Sequence, residues 1–150
     1  MRRKGQAAVE FLMTYGWAIL AAVIAIGVLA YFGVFSPGKY VTDSAIVTAP
    51  FYVNAQNINA TDINMELRNN GGESLNVTNI SVVGTTPSIN CYCGSLCPSV
   101  VSASNVTTFK IVCGALQSGG TYKGDITINY RKSGSSIDLT STGTIAGKIV

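Results

Sequence analysis

The amino-acid sequence predicts an α+β chain: a long N-terminal hydrophobic α-helix followed by an antiparallel β-sandwich. Three observations carry this expectation. No charged residue occurs from Phe11 to Gly38, and the run 11–35 is almost wholly apolar. Composition changes abruptly at Ser36-Pro37-Gly38, after which Ser, Thr, Asn and Gly dominate. Beyond that point apolar residues come in short alternating runs bounded by turn residues, the pattern of half-buried strands.

The helix comes first. A run of about 25 residues makes a helix of roughly 37 Å at about 1.5 Å per residue. That is enough to cross a hydrocarbon core of roughly 30 Å with some tilt. The segment is apolar on every side, so no face suits water. Ala18, Ala21, Ala22, Ala25, Gly27, Ala30 and Gly33 are small, which lets helices approach closely in an apolar medium. A secretory signal has a shorter apolar region followed by a small-residue cleavage site. Here Phe35 is followed by Ser36-Pro37-Gly38-Lys39, so the segment is expected to remain in the mature protein. Arg2, Arg3 and Lys4 precede it. They are expected to hold that end in the cytoplasm and to put everything after Ser36 outside.

Glu10 is the only charge between Lys4 and Lys39. A carboxylate in a spanning helix is costly without a partner. In the simpler reading it sits among headgroups, near the positive end of the helix dipole. In the sharper one the chain is cut after Gly5, and Gln6 becomes a new N-terminus. Glu10 is then the fifth residue, one helical turn along, and can neutralise the Gln6 amine of an adjacent copy. Such a pair works only if both charges enter the apolar phase together.

Lys4-Gly5-Gln6-Ala7-Ala8-Val9-Glu10-Phe11-Leu12, followed by Met13-Thr14-Tyr15-Gly16-Trp17-Ala18-Ile19-Leu20, resembles the class III signal peptide of archaeal type IV pilins. The chain keeps Gln6, Glu10 and Leu12 of that pattern and has Ala8 where Ser is frequent. The resemblance implies removal of residues 1–5 by a prepilin peptidase acting between Gly5 and Gln6. It also implies assembly through Gln6 and Glu10, with helices 6–35 leaving the bilayer to bundle in a filament core, driven by apolar burial worth about 25 cal/mol per Å². The implied partners are further copies in a helical filament, the peptidase, a pilus assembly ATPase with its membrane platform, and the cytoplasmic membrane before assembly.

Pro37 and Gly38 end the helix and open a linker, 36–44. The remaining stretch of about 110 residues suffices for one compact extracellular domain, 45–150. Ile46 to Val53 reads as an edge strand broken at Pro50. Ile63, Met65 and Leu67 alternate with polar residues, Asn69-Asn70-Gly71-Gly72 reads as a turn, and Leu75 to Val83 as the returning strand of a hairpin. The segment from Thr85 to Ser104 reads as a loop. Val106 to Cys113 is a strand with Phe109, Ile111 and Cys113 on one face. Gly119-Gly120 precedes a run with Tyr122, Ile126, Ile128 and Tyr130; Arg131-Lys132-Ser133-Gly134 turns into Ile137 and Leu139; Thr144 to Val150 closes the chain. Short strands with frequent turns suggest an immunoglobulin-like sandwich.

Cys91, Cys93, Cys97 and Cys113 are the four cysteines. An even number in an extracellular domain reads as two disulfides. A Cys91–Cys93 bridge would strain its short span. Cys93–Cys97 with Cys91–Cys113 is preferred, and the crossed pairing stands close beside it. The Cys-x-Cys-x3-Cys spacing and the absence of histidine argue against zinc. Asn-x-Ser/Thr occurs at Asn59, Asn76, Asn79 and Asn105, candidate glycosylation sites in an outside domain. Asn76 and Asn79 share one expected strand, so under strict alternation they cannot both be freely exposed.

Catalysis has little support. Histidine, the commonest general base and metal ligand, is missing. The acidic residues of the tail are scattered, no glycine loop is placed to cradle phosphate, and no calcium loop occurs. No enzyme activity, cofactor or metal is expected. The formal charge of +3 falls near zero once Arg2, Arg3 and Lys4 are removed, leaving no basic face for nucleic acid. Only 11% of residues are charged, which suits close subunit packing or a coat of sugar. The expected role is a structural subunit of an archaeal type IV pilus-like filament at the cell surface, used for adhesion through avidity. A membrane-anchored extracellular β-domain that binds a partner, and a minor pilin or pseudopilin of a secretion system, are the alternatives.

Overall fold

The computed structural model describes residues 3–35, 42–97 and 99–150. Most of the expected linker, residues 36–41, lies outside the described residues, as do Met1 and Arg2 of the expected leader. The chain divides into two units, Met1–Tyr40 and Val41–Val150.

The first unit is one helix, α1, Arg3–Tyr31. It stops short of Phe35 because Gly33 takes the left-handed conformation, φ 75°. The amide of Gly33 donates to Ala30 O at 3.0 Å and that of Val34 to Leu29 O at 3.1 Å. These two bonds satisfy carbonyls that the end of a helix leaves orphaned, and the geometry is a Schellman cap. Gly33 therefore terminates the helix instead of serving as one of its packing residues.

The second unit is a large antiparallel sheet, nearly closed into a barrel. Its strands are β1 Ser44–Val47, β2 Phe51–Ile58, β3 Asp62–Asn69, β4 Leu75–Thr86, β5 Cys91–Tyr92, β6 Ser99–Val101, β7 Val106–Cys113, β8 Thr121–Lys132 and β9 Leu139–Lys148. The pairing order is β1-β9-β8-β4-β5-β7-β3-β2, with β6 also on β4. A 3-10 turn, Gly94–Leu96, follows β5. The sheet closes at a seam where the end of β2 meets the end of β9 and the residues that follow it. Val150 N donates to Ile58 O at 2.9 Å, Ile58 bridges Ile149, and the Gln56 side chain reaches Ala146 O at 3.2 Å. The core is filled from both sides of the curl: Val77, Ile80, Val82, Ile126, Ile128 and Ile145 face Ile63, Met65, Leu67, Phe109 and Ile111, all buried. Alternation along each strand is what puts these residues on one face.

Three local expectations are corrected. First, β3 and β4 do not form a hairpin. β3 pairs with β2 and β7, whereas β4 pairs with β5, β6 and β8. The reason is Asn69, whose buried side chain accepts from Gly71 N at 2.8 Å and donates to Glu73 O at 2.8 Å and Val101 O at 2.9 Å. These bonds satisfy the backbone of a crossing connection, which a two-residue hairpin turn would leave to the ladder. Second, Thr85–Ser104 is not all loop: β4 runs on to Thr86, and β5 and β6 lie within it. Third, the Ile46–Val53 strand is two strands that pair with different partners, β1 with β9 and β2 with β3.

Candidate functional site

The N-terminal half of α1 holds the residues with the strongest chemical signal. Gly5–Tyr31 has a mean hydropathy of 2.2, is long and apolar enough to cross a membrane, and is exposed within its own unit among the described residues. Phe11, Leu12, Met13 and Trp17 are all more than half exposed although they point to different sides of the helix. Such a surface is stable only in lipid or against other apolar helices.

The polar exceptions fall on one face. Gln6 Nε2 donates to Glu10 Oε1 at 3.4 Å, and Thr14 Oγ1 donates to Glu10 O at 2.8 Å. Gln6, Glu10 and Thr14 follow one another at a spacing of one turn, which brings side chains together on a helix. Thr14 escaped the sequence reading, although its four-residue step from Glu10 is a usable signal. Its hydroxyl is tied back to the helix, so it lowers the cost of a polar atom in an apolar surrounding. Among the described residues the Glu10 carboxylate, by contrast, makes one long amide contact and keeps acceptor capacity for a cation. The Gly5–Gln6 bond lies within the helical segment, at its exposed start.

The cysteines come together in the head. Cys91 pairs with Cys113 and Cys93 with Cys97. Cys91 and Cys113 are direct partners on the β5–β7 ladder, with Cα atoms 4.1 Å apart. Cys93–Cys97 closes over the 3-10 turn. Such bridges suit an oxidising, extracytoplasmic setting.

The four sequon asparagines are scattered and differ in surroundings. Asn105 is exposed in the connection before β7, and its Oδ1 accepts from Val106 N at 3.0 Å. Asn76 and Asn79 are half-buried on β4. A β-bulge between Val77 and Asn79 shifts the register against β8. That extra residue lets both asparagines avoid the core face, which strict alternation would forbid. Asn59 is different: its Nδ2 donates to Asp62 Oδ1 at 2.7 Å.

Asp62 is a polar hub missed at the sequence level. Besides Asn59, its carboxylate accepts from Asn64 Nδ2 at 2.8 Å and Thr61 Oγ1 at 3.2 Å, and Lys110 Nζ lies 3.4 Å away. The Asn59 bond, with smaller help from Thr61 and Lys110, holds its pKa below the ordinary carboxylate value against the opposing effect of burial. The Asn-x-Thr-Asp-x-Asn spacing around a tight β2–β3 turn was the available signal. Buried Tyr122 donates from its hydroxyl to Ile89 O at 2.7 Å, and burial pushes its pKa up to about 12.

Among the described residues no group of histidine, cysteine, aspartate or glutamate is arranged to hold a metal ion. No protein-family model matches the chain, and no curated protein matches it in sequence.

Proposed function

We propose that the chain is a structural subunit of an archaeal type IV pilus-like surface filament, in which α1 helices form the core and the β-head forms the outer sheath. The observation that carries this reading is α1 itself: apolar around its circumference, exposed within its own unit among the described residues, with Gln6 and Glu10 one turn apart on one side. A lipid anchor needs the apolar surface. It does not need a carboxylate beside a potential new amine, and that carboxylate favours the filament over the permanently anchored reading.

In this reading a prepilin peptidase cuts between Gly5 and Gln6 at the cytoplasmic side. Gly5 weakens the helix at that point by about 1 kcal/mol relative to alanine, which helps the bond to be presented in extended form. The freed Gln6 amine of one copy meets Glu10 of a neighbour. Before assembly the helix resides in the cytoplasmic membrane. Afterwards the heads, stapled by two disulfides, face outside. We read the head as a relative of the immunoglobulin-like sandwich whose strands run on, through the short β5, as one curled sheet. Adhesion follows from repetition, since many weak contacts along one filament act together.

The test is direct. Filaments sheared from cells and analysed by mass spectrometry should contain this chain with Gln6 as its first residue. A chain still bearing Met1, dispersed in the membrane fraction and absent from sheared material, refutes the proposal. Glu10→Gln supplies a second check: cleavage should proceed normally while filament yield falls at least about tenfold, the effect expected if one charge-assisted contact worth about 1.4 kcal/mol is lost per junction. Wild-type yield would remove Glu10 from the mechanism.

A further inference from the structure

The head has two ends. Asp43, Lys148 and the Gly119-Gly120 connection lie at one, joined by Lys148 N to Asp43 Oδ1 at 2.9 Å and Gly119 N to Ile149 O at 2.9 Å. The connections Thr48–Pro50, Asn69–Glu73 and Ser102–Asn105 gather at the other. Asn70 N donates to Pro50 O at 2.9 Å, Ser104 N to Asn69 O at 2.9 Å, and Asn69 N to Asn105 O at 3.0 Å. At this second end, away from the point where β1 begins, sits a pocket of about 270 Å³.

Its wall is apolar: Pro50, Gly71, Leu75 and the ring of Tyr130. Tyr130 is only 8% exposed, and its ring stacks edge-on against Phe51 with centroids 5.1 Å apart. Among the described residues its hydroxyl has no hydrogen-bond partner, whereas the hydroxyl of buried Tyr122 donates to Ile89 O. Among the described residues the one fully enclosed side-chain polar atom without a partner is Gln56 Oε1, so the Tyr130 hydroxyl keeps contact with solvent and is free to donate and to accept. At the rim Lys132 Nζ and Glu73 Oε1 are 3.1 Å apart, both half-exposed. The pocket therefore presents a strong donor, a strong acceptor and a two-way hydroxyl around an apolar wall, with no net charge.

We propose that this pocket binds a single neutral, hydroxylated ring, one sugar residue of a surface glycan. Lys132 and Glu73 offset one another at 3.1 Å, so an ion of either sign finds no net attraction there. A polyol satisfies the three groups together, donating to Glu73, accepting from Lys132 and exchanging a hydrogen bond with Tyr130, while its C–H face covers Pro50 and Leu75. The volume suits one ring and not a run of several. The inference deepens the adhesive part of the function proposed above and rests on it for its biological sense. The binding itself needs no filament.

The experiment uses the full chain, dispersed in a phosphocholine detergent so that no sugar headgroup competes. Isotope-labelled protein is titrated with glucose, galactose, mannose and N-acetylglucosamine while backbone amide shifts are recorded. At least one sugar should shift the Gly71, Gly72, Glu73 and Lys132 amides saturably, at millimolar affinity. Tyr130→Phe keeps the ring on Phe51 and should weaken that binding about tenfold with an unchanged melting midpoint, as loss of one hydrogen bond to the sugar predicts. Lys132→Met should weaken it similarly. The proposal is overturned if none of the sugars moves these amides at 100 mM concentrations (about the weakest affinity of interest), if acetate or ammonium ions shift them more than any sugar, or if Tyr130→Phe binds as wild type. None of these readouts depends on assembly, so filament failure with intact sugar binding would condemn the filament reading alone.

Discussion

Asp62 illustrates how one buried carboxylate can organise a turn. Four donors converge on it from Asn59, Thr61, Asn64 and Lys110. They bind the charged form, so its folded pKa lies below its unfolded value. The stability it contributes is then fully present above the unfolded value of about 3.9 and is lost as pH falls through the lower folded one. Asp62→Asn should cost about 1–3 kcal/mol at pH 7 and flatten the acid limb of a pH–stability curve measured by chemical unfolding. A mutant with an unchanged acid limb would show that the cluster does not titrate as argued. Tyr122 works in the opposite direction. Burial raises its pKa to about 12, so its contribution is complete below the unfolded value of about 10 and fades between about 10 and 12. Tyr122→Phe should abolish that alkaline decline while leaving Ile89 O without its donor, a cost of about 1–2 kcal/mol at neutral pH. The same local view separates the sequons. The Asn59 amide is committed to Asp62, while Asn105 is exposed. Glycopeptide mass spectrometry of protein from its native cells should find sugar on Asn105 and none on Asn59; the reverse occupancy would contradict the structural role of Asn59.

At the scale of elements, Gly33 and Gly143 carry sharp constraints. Gly33 caps α1 at φ 75°, where a side chain is strained. Gly33→Ala should cost about 1 kcal/mol at that helix end, visible as faster hydrogen exchange at the Val34 amide. A Cβ at Gly143 would strike Ile46 O and the Val47 Cα. Gly143→Ala should therefore push β1 off β9 and raise exchange across Ser44–Val47 without unfolding β8. The elements themselves were legible to different degrees. α1 was plain because its signal is local: an uncharged apolar stretch needs no knowledge of any other segment. Strands β3, β4, β7 and β8 were visible through alternation for the same reason. Pairing was not. Asn69-Asn70-Gly71-Gly72 has the composition of a hairpin turn, and nothing local reveals that the Asn69 side chain reaches Val101, far along the chain. The bulge at Val77/Asn79 was equally hidden, because its cause lies in the register with β8. Of the sites, Gln6 and Glu10 stood out as polar residues in an apolar run. Tyr130 did not, since in sequence it is one more inward residue of a strand.

For the whole molecule, two energetic problems have to be solved at once. The first belongs to the proposed assembly and is the transfer of α1. Lipid tails are as apolar as leucine side chains, so moving a helix from bilayer to filament core gains little from hydrophobicity. In the filament proposed above, apolar burial, expected from the sequence to drive that transfer, would instead hold the finished assembly against water, at about 25 cal/mol per Å², and the choice of lipid or neighbour would be left to contacts such as Glu10 with the Gln6 amine. The second problem is keeping a small, weakly charged head folded in the open. The near-closed sheet leaves little free edge for stray pairing, but its weak point is β5, whose two residues are the only strand joining β4 to β7 among the described residues. Cys91–Cys113 lies at that joint and closes a 22-residue separation, against 4 for Cys93–Cys97. On loop entropy alone the longer bridge contributes about 3 kcal/mol and the shorter about 2. Its position widens the gap, because without it β5 can detach and open the sheet between β4 and β7. Removing Cys91 and Cys113 together, each as alanine, should lower the thermal midpoint more than removing Cys93 and Cys97. It should also accelerate hydrogen exchange at Tyr92 and Val112 before the β8–β9 pair. Equal midpoints for the two double variants, or exchange that rises uniformly over the head, would mean that β5 is not the joint on which the sheet depends.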